Sequence, residues 1–137
     1  MVAYYAAGQR LTAAGLNANL PQGFSACTFL NGWSNKGAGR ANLAVRFEDQ
    51  VTVRLIGSIQ PGTLAGGTVF AVLPGGGSSI YAPSSQLAGE MNIVTGTGTG
   101  NTLPIWIYTN GNIGLVAAAL AATPTELYIN CTFPIDI

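Results

Sequence analysis

Between residues 51 and 59 the chain reads VTVRLIGSI, with Val51, Val53, Leu55, Gly57 and Ile59 on one face of a period-two pattern and Thr52, Arg54 and Ser58 on the other. A half-buried β-strand requires this alternation, because successive side chains leave a pleated backbone on opposite sides. Ile56 interrupts it by placing an apolar side chain on the outer face. Pro61, Gly62, Gly66 and Gly67 then break the backbone, a second apolar run occupies residues 68–73, and Pro74 with Gly75, Gly76 and Gly77 ends it. Pro has no amide donor and Gly has no side chain to pack, so no regular strand passes through either cluster. A chain punctuated in this way folds as short strands and turns.

The same signals recur along the chain. Residues 24–30 form a short apolar strand, 31–39 a polar, Gly-rich loop around Trp33, and 41–47 a strand that turns at Glu48, Asp49 and Gln50 into the strand at 51. Weaker strands are expected at 79–82 and 87–94, followed by a flexible crossing at 95–101. Residues 103–108 and 112–118 flank Asn110-Gly111, the dipeptide that most readily supplies the two positive φ angles of a type I′ hairpin turn. The last strand, 126–133, sets Leu127, Ile129, Cys131 and Phe133 against Glu126, Tyr128, Asn130 and Thr132. Frequent short strands predict an all-β domain of the β-sandwich or jelly-roll type.

Residues 1–23 differ. In LTAAGLNANLP, Thr12 is placed as an N-cap, Leu11 and Leu16 as a hydrophobic staple, and Pro21 as a stop, which predicts a helix of about two turns. So short a helix is marginal alone in water, so Leu11, Leu16 and Leu20 must dock on something. At 137 residues the chain divides into this arm and one domain, residues 24–137. Charged residues make up only 7% and the formal net charge is zero, which leaves no field to attract nucleic acid or an anionic membrane. So sparse a charge also favours self-association. No basic n-region precedes an apolar run at the N-terminus, so synthesis in the cytoplasm is expected. The longest apolar run, residues 115–122, falls short of the roughly 20 residues of a membrane helix.

The chain contains no histidine, which removes the commonest general base and metal ligand together. No catalytic, cofactor or metal site is expected. Glu48 and Asp49 are adjacent and point apart on extended backbone, and Glu90, Glu126 and Asp136 form no recognisable pair. The glycines at 95–101 lack the Lys and the following helix of a phosphate loop. Cys27 and Cys131 lie in strand contexts that could bring them together, but in a cytoplasmic product reduced, buried thiols are the expected state. Asn31, Trp33 and Asn35 in one loop, with Tyr108 and Asn110 in another, combine aromatic and amide groups of the kind that stack on and hydrogen-bond a sugar ring. A Trp so placed is more often an anchor that closes one end of a sandwich or a subunit contact.

Two parts of the chain resemble bacteriophage virion proteins. AAGQRLTAAGLNANLP, residues 6–21, is similar to the opening of many small tail and head-surface proteins of phages of actinobacteria, which begin A-G-Q-x-L-T-A-x-x-L-N. The remainder resembles the β-sandwich head domain at the C-terminal end of phage tail fibres and receptor-binding proteins. It does so at Gly32-Trp33, residues 41–47, Val53-x-Leu55-x-Gly57-x-Ile59, Gly67-Thr68-Val69-Phe70 with Leu73-Pro74, and Asn110-Gly111-Asn112-Ile113. The chain departs from that pattern in Ile56 and in having no fibrous shaft between arm and head. The resemblance implies a homotrimer at the virion surface, with Ile56 buried between subunits and a major capsid or tail protein as partner. The leading expectation is a non-enzymatic capsid decoration protein attached through Leu11, Thr12, Leu16 and Leu20. The alternative is a minor tail or receptor-binding head that grips host-surface glycan through Asn31, Trp33, Asn35, Tyr108 and Asn110.

Overall fold

The computed structural model describes residues 23–116 and 123–135. In chain order the strands are β1 (Ser25–Ala26), β2 (Thr28–Phe29), β3 (Ser34–Asn35), β4 (Ala44–Phe47), β5 (Thr52–Gln60), β6 (Val69–Val72), β7 (Leu87–Gly96), β8 (Thr102–Ile107), β9 (Asn112–Leu115) and β10 (Pro124–Pro134). All the pairings are antiparallel, in the order β1-β4-β5-β10-β7-β8-β9-β6-β2, with β3 alongside β5. The chain is all-β, as its alternating pattern predicts. The helix expected near the N-terminus falls on residues 1–22, outside the described residues.

The two ends of this strand order are neighbours in sequence. Ala26 pairs with Ala44 on β4, Thr28 pairs with Val72 on β6, and only Cys27 separates them. Residues 25–29 therefore bridge both margins of one continuous sheet and bring it nearly to closure as a barrel. The backbone carries the bridge outside the short ladders as well: Cys27 N–H donates to the Leu43 carbonyl at 3.1 Å and Leu30 N–H to the Phe70 carbonyl at 3.0 Å. Closure matters because an open sheet margin presents unpaired donors and acceptors to any passing strand.

Inside lie most of the side chains that the period-two pattern selects; Val51, placed with them by that pattern, precedes the strand and is 38% exposed. Val53, Leu55 and Ile59 of β5 meet Ile129, Leu127 and Phe133 of β10, Met91 and Ile93 of β7, Ile105 and Ile107 of β8, and Ile113 and Leu115 of β9. The β5–β10 ladder is the longest in register, running from Leu127 opposite Ile59 to Pro134 opposite Thr52. Both cysteines are free, Cys27 buried and Cys131 half-buried. Burial pushes their thiols up to about 12 and about 11, which suppresses the reactive thiolate.

Four local expectations are corrected. Residues 79–82 form no strand: a turn of 3-10 helix at Gly76–Ser78 leads into a bend that drops Tyr81 onto Phe47, ring centroids 5.0 Å apart. Residues 95–101 make no crossing but a hairpin, closed by Ile93 N–H donating to the Asn101 carbonyl at 2.9 Å and Gly100 N–H to the Ile93 carbonyl at 3.0 Å. The Asn110-Gly111 turn is not type I′. Only Gly111 has a positive φ, 86°, and Tyr108 N–H reaches the Asn112 carbonyl at 2.9 Å, so the loop holds three residues with Gly in the left-handed position. Ser58, assigned to the outer face, is buried because residues 36–41 cross over it: its N–H donates to the Ala41 carbonyl and its carbonyl accepts from Lys36 N–H, each at 2.9 Å.

The main chain just after that crossing, at residues 42–43, explains Gly57. A Cβ there would stand 2.5 Å from Leu43 Cα and 2.6 Å from Leu43 N, main-chain atoms that cannot give way without moving the entry to β4. Gly57→Ala is expected to destabilise the fold by about 1–3 kcal/mol through overpacking. Urea unfolding that gives a lower midpoint with an unchanged m-value would confirm it; an unchanged midpoint would show that residues 42–43 are free to shift.

Candidate functional site

The polar side chains singled out in the sequence are largely committed to holding loops. Trp33 is 4% exposed, its ring against Phe70 with centroids 4.8 Å apart and its indole N–H donating to the Thr63 carbonyl at 2.9 Å. It is an anchor and offers no ring face to a sugar. Asn31 Nδ2 donates to the Val69 carbonyl at 2.7 Å, Asn35 Oδ1 accepts from Leu43 N–H at 2.8 Å, and Asn110 Oδ1 accepts from Asn112 N–H at 3.0 Å. The two loops are also apart. Asn31 clamps the Val69 end of β6, whereas Leu73 N–H, at the other end, donates to the Gly111 carbonyl of the hairpin turn. At about 3.3 Å per residue the two ends lie roughly 13 Å apart.

Tyr108 is different. Leu103, Ile105 and Ile107 point into the barrel, so Pro104, Trp106 and Tyr108 point out. The Tyr108 ring leans across Gly114, where a Cβ would meet its Cε2 at 3.3 Å. Trp106 lies opposite Ala88 on β7 and Gly114 on β9, and is partly exposed. The alternation of LPIWIY sets Trp106 on the same side as Tyr108 and opposite the isoleucines, a signal present in the sequence.

A second feature lies on the outer face of β1, β4 and β5. Ile56 faces outward opposite Ala44, and with Phe24, Ala26, Ala41 and Asn42 it lines an open cleft of about 360 Å³. Phe24 is 45% exposed and carries the Arg46 guanidinium 4.6 Å above its ring. Arg46 and Arg54 are direct cross-strand partners, and like charges so placed would repel. Glu48 relieves them, with Arg46 Nε at 3.2 Å and Arg54 Nη1 at 3.8 Å from its Oε1. Leu11, Thr12, Leu16 and Leu20 lie outside the described residues.

Among the described residues the carboxylates do not converge, and Asp136 lies outside them. Asp49 Oδ1 accepts from Val51 N–H at 2.9 Å and Thr52 N–H at 2.7 Å, and the Val51 bond foremost holds its carboxyl below the usual range. Glu126 pairs with Thr95 in the β10–β7 ladder, whereas Glu90 lies farther along β7 opposite Pro104. Five residues of strand put these two roughly 16 Å apart, against the about 5–9.5 Å of a glycosidase pair. Among the described residues no three metal-ligating side chains gather, and no helix is long and apolar enough to cross a membrane.

No protein-family model matches this chain, and no curated protein matches it. Function has to be read from the residues.

Glu126 shows how the outer loops are held. It is 2% exposed, and Arg40, 51% exposed, reaches over from the 36–41 crossing to bring Nε within 3.0 Å of its Oε2. Arg40→Ala would leave a buried carboxylate without its cation, at a cost of about 1–3 kcal/mol because the half-exposed arginine already shares its charge with water. Thermal melts should show Arg40→Ala destabilised and the added change Glu126→Gln restoring much of the loss. Additive losses would mean that the pair is incidental.

Proposed function

We propose that this chain is a non-enzymatic structural protein of a bacteriophage virion, a homotrimeric decoration protein on the head surface attached by residues 1–23. The observation that carries the proposal is the outward apolar cleft around Ile56, bordered by the exposed Phe24 at the point where the arm joins the barrel. A chain with zero formal charge gains little solubility from its surface, and an apolar cleft on it is stabilised by a subunit contact. Three arms in one trimer then bind a particle with high effective concentration, each contributing Leu11, Leu16 and Leu20 at roughly 1.5–3 kcal/mol per fully buried leucine.

A second reading, a receptor-binding head at the tail that recognises host-surface saccharide, is favoured by the outward Trp106 and Tyr108. Immunogold labelling of virions with an antibody to this chain separates the two, since the first requires label over heads and the second label at tail tips. Label on neither ends both.

Sedimentation equilibrium is expected to give a trimer that persists at high salt, because an apolar contact is weakly screened. Ile56→Asp should dissociate it into folded 14.0 kDa chains. A monomeric wild-type protein at micromolar concentration contradicts the oligomer. For attachment, Leu16→Asp should reduce occupancy on particles lacking the protein while leaving the melting temperature unchanged; full occupancy would move the attachment surface onto the barrel.

A further inference from the structure

We infer that the outer face of β7, β8 and β9 is a saccharide-binding shelf built on Trp106 and Tyr108. The inference takes its ligand class from the saccharide reading above and does not depend on where in a virion the chain sits. Alternate residues of a strand stand roughly 7 Å apart on one face, so the two rings form a platform about the length of one sugar ring. The neighbours on both sides are small: Ala88 lies directly across from Trp106 on β7, and Gly114 directly across on β9. The Tyr108 ring lies over Gly114, whose missing side chain leaves it room to lie against the sheet.

Polar groups border this platform. Glu90, one outward position beyond Ala88, is exposed and makes no hydrogen bond or ion pair among the described residues. Asn112 stands across from Tyr108, its carbonyl accepting the Tyr108 N–H while its side-chain amide is left without a hydrogen bond among the described residues. The Trp106 indole N–H and the Tyr108 hydroxyl are likewise unspent within the described residues.

A saccharide fits this set. Its C–H face packs against the negative faces of aromatic rings, and its equatorial hydroxyls meet a carboxylate and an amide at the rim. A purely apolar partner would leave Glu90 buried and unpaired, at a cost. A nucleic acid would meet a carboxylate where it needs cations, on a protein of zero formal charge.

The test is isothermal titration of the full-length protein with soluble fragments of bacterial cell-wall glycan and with neutral hexose and N-acetylhexosamine oligosaccharides. Wild type should bind at least one of them. Trp106→Ala and Tyr108→Ala should each weaken binding by roughly tenfold or more, Trp106→Phe by less, and Glu90→Gln measurably. Sedimentation should not change. Emission from Trp106 should respond to bound glycan in a Trp33→Phe background, where it is the remaining tryptophan.

Absence of binding by wild type overturns the shelf and the saccharide reading together. Undiminished binding by Trp106→Ala and Tyr108→Ala overturns the shelf alone and leaves that reading standing. A changed oligomeric state in Trp106→Ala makes this face a contact between copies and also overturns the proposal. If Trp106→Ala does not fold, Glu90→Gln and Asn112→Ala carry the test, because both alter outward polar groups only; undiminished binding in both overturns it.

Discussion

The fold depends on one five-residue stretch serving two strands at once. Residues 25–29 pair with β4 through Ala26 and with β6 through Thr28, and without them both margins of the sheet would be open. Cys27 is the residue at which the chain changes partner, and it is buried there. Closure relieves the sheet of unpaired edge groups, and it also decides that every strand has an inside and an outside. The inside holds one cluster of buried apolar side chains. The outside is left to carry whatever the protein does.

Three outer features follow from that division, each held by a different force. The Ile56 cleft is apolar and sits between the entry strand and the β4–β5 hairpin. The Arg46, Glu48 and Arg54 cluster lies on the same face and is ionic, with Glu48 bridging two arginines that the ladder forces together. The Trp106 and Tyr108 shelf belongs to β8 and owes its flatness to Ala88 and Gly114 alongside. Loops supply rigidity to this surface more than contacts: Trp33, Asn31, Asn35 and Asn110 all hold main-chain groups in place. Their hydrogen-bonding capacity is spent on preventing buried or strained backbone from going unpaired.

The saccharide residues expected from sequence divide in the structure: Tyr108 faces outward, whereas Trp33 and the amides of Asn31, Asn35 and Asn110 hold loops. Aromatic and amide residues in a Gly-rich loop have the right chemistry for a sugar, but they also have the right chemistry for closing a barrel end. Local sequence does not distinguish the two uses. What separates Trp33 from Trp106 is the direction of the side chain: Trp33 turns inward onto Phe70, whereas Trp106 follows the outward phase of β8. The phase of β8 was legible in the alternation of Ile105 and Ile107; the inward turn of Trp33 needed Phe70, 37 residues later, to be visible.

By itself the sequence determined the all-β class, most strand positions, the inward face of β5 and β10, and the outward placement of Ile56. These are period-two properties, local to a few residues and set by the pleat. Tertiary structure alone decided that the sheet curls on itself through residues 25–29, that residues 36–41 bury Ser58, that residues 42–43 demand Gly57, and that Glu126 is covered by Arg40. Each of these is a contact between segments far apart in the chain. Its sign depends on close main-chain approach or on one charge meeting another, and neither is encoded in the alternation of apolar and polar side chains.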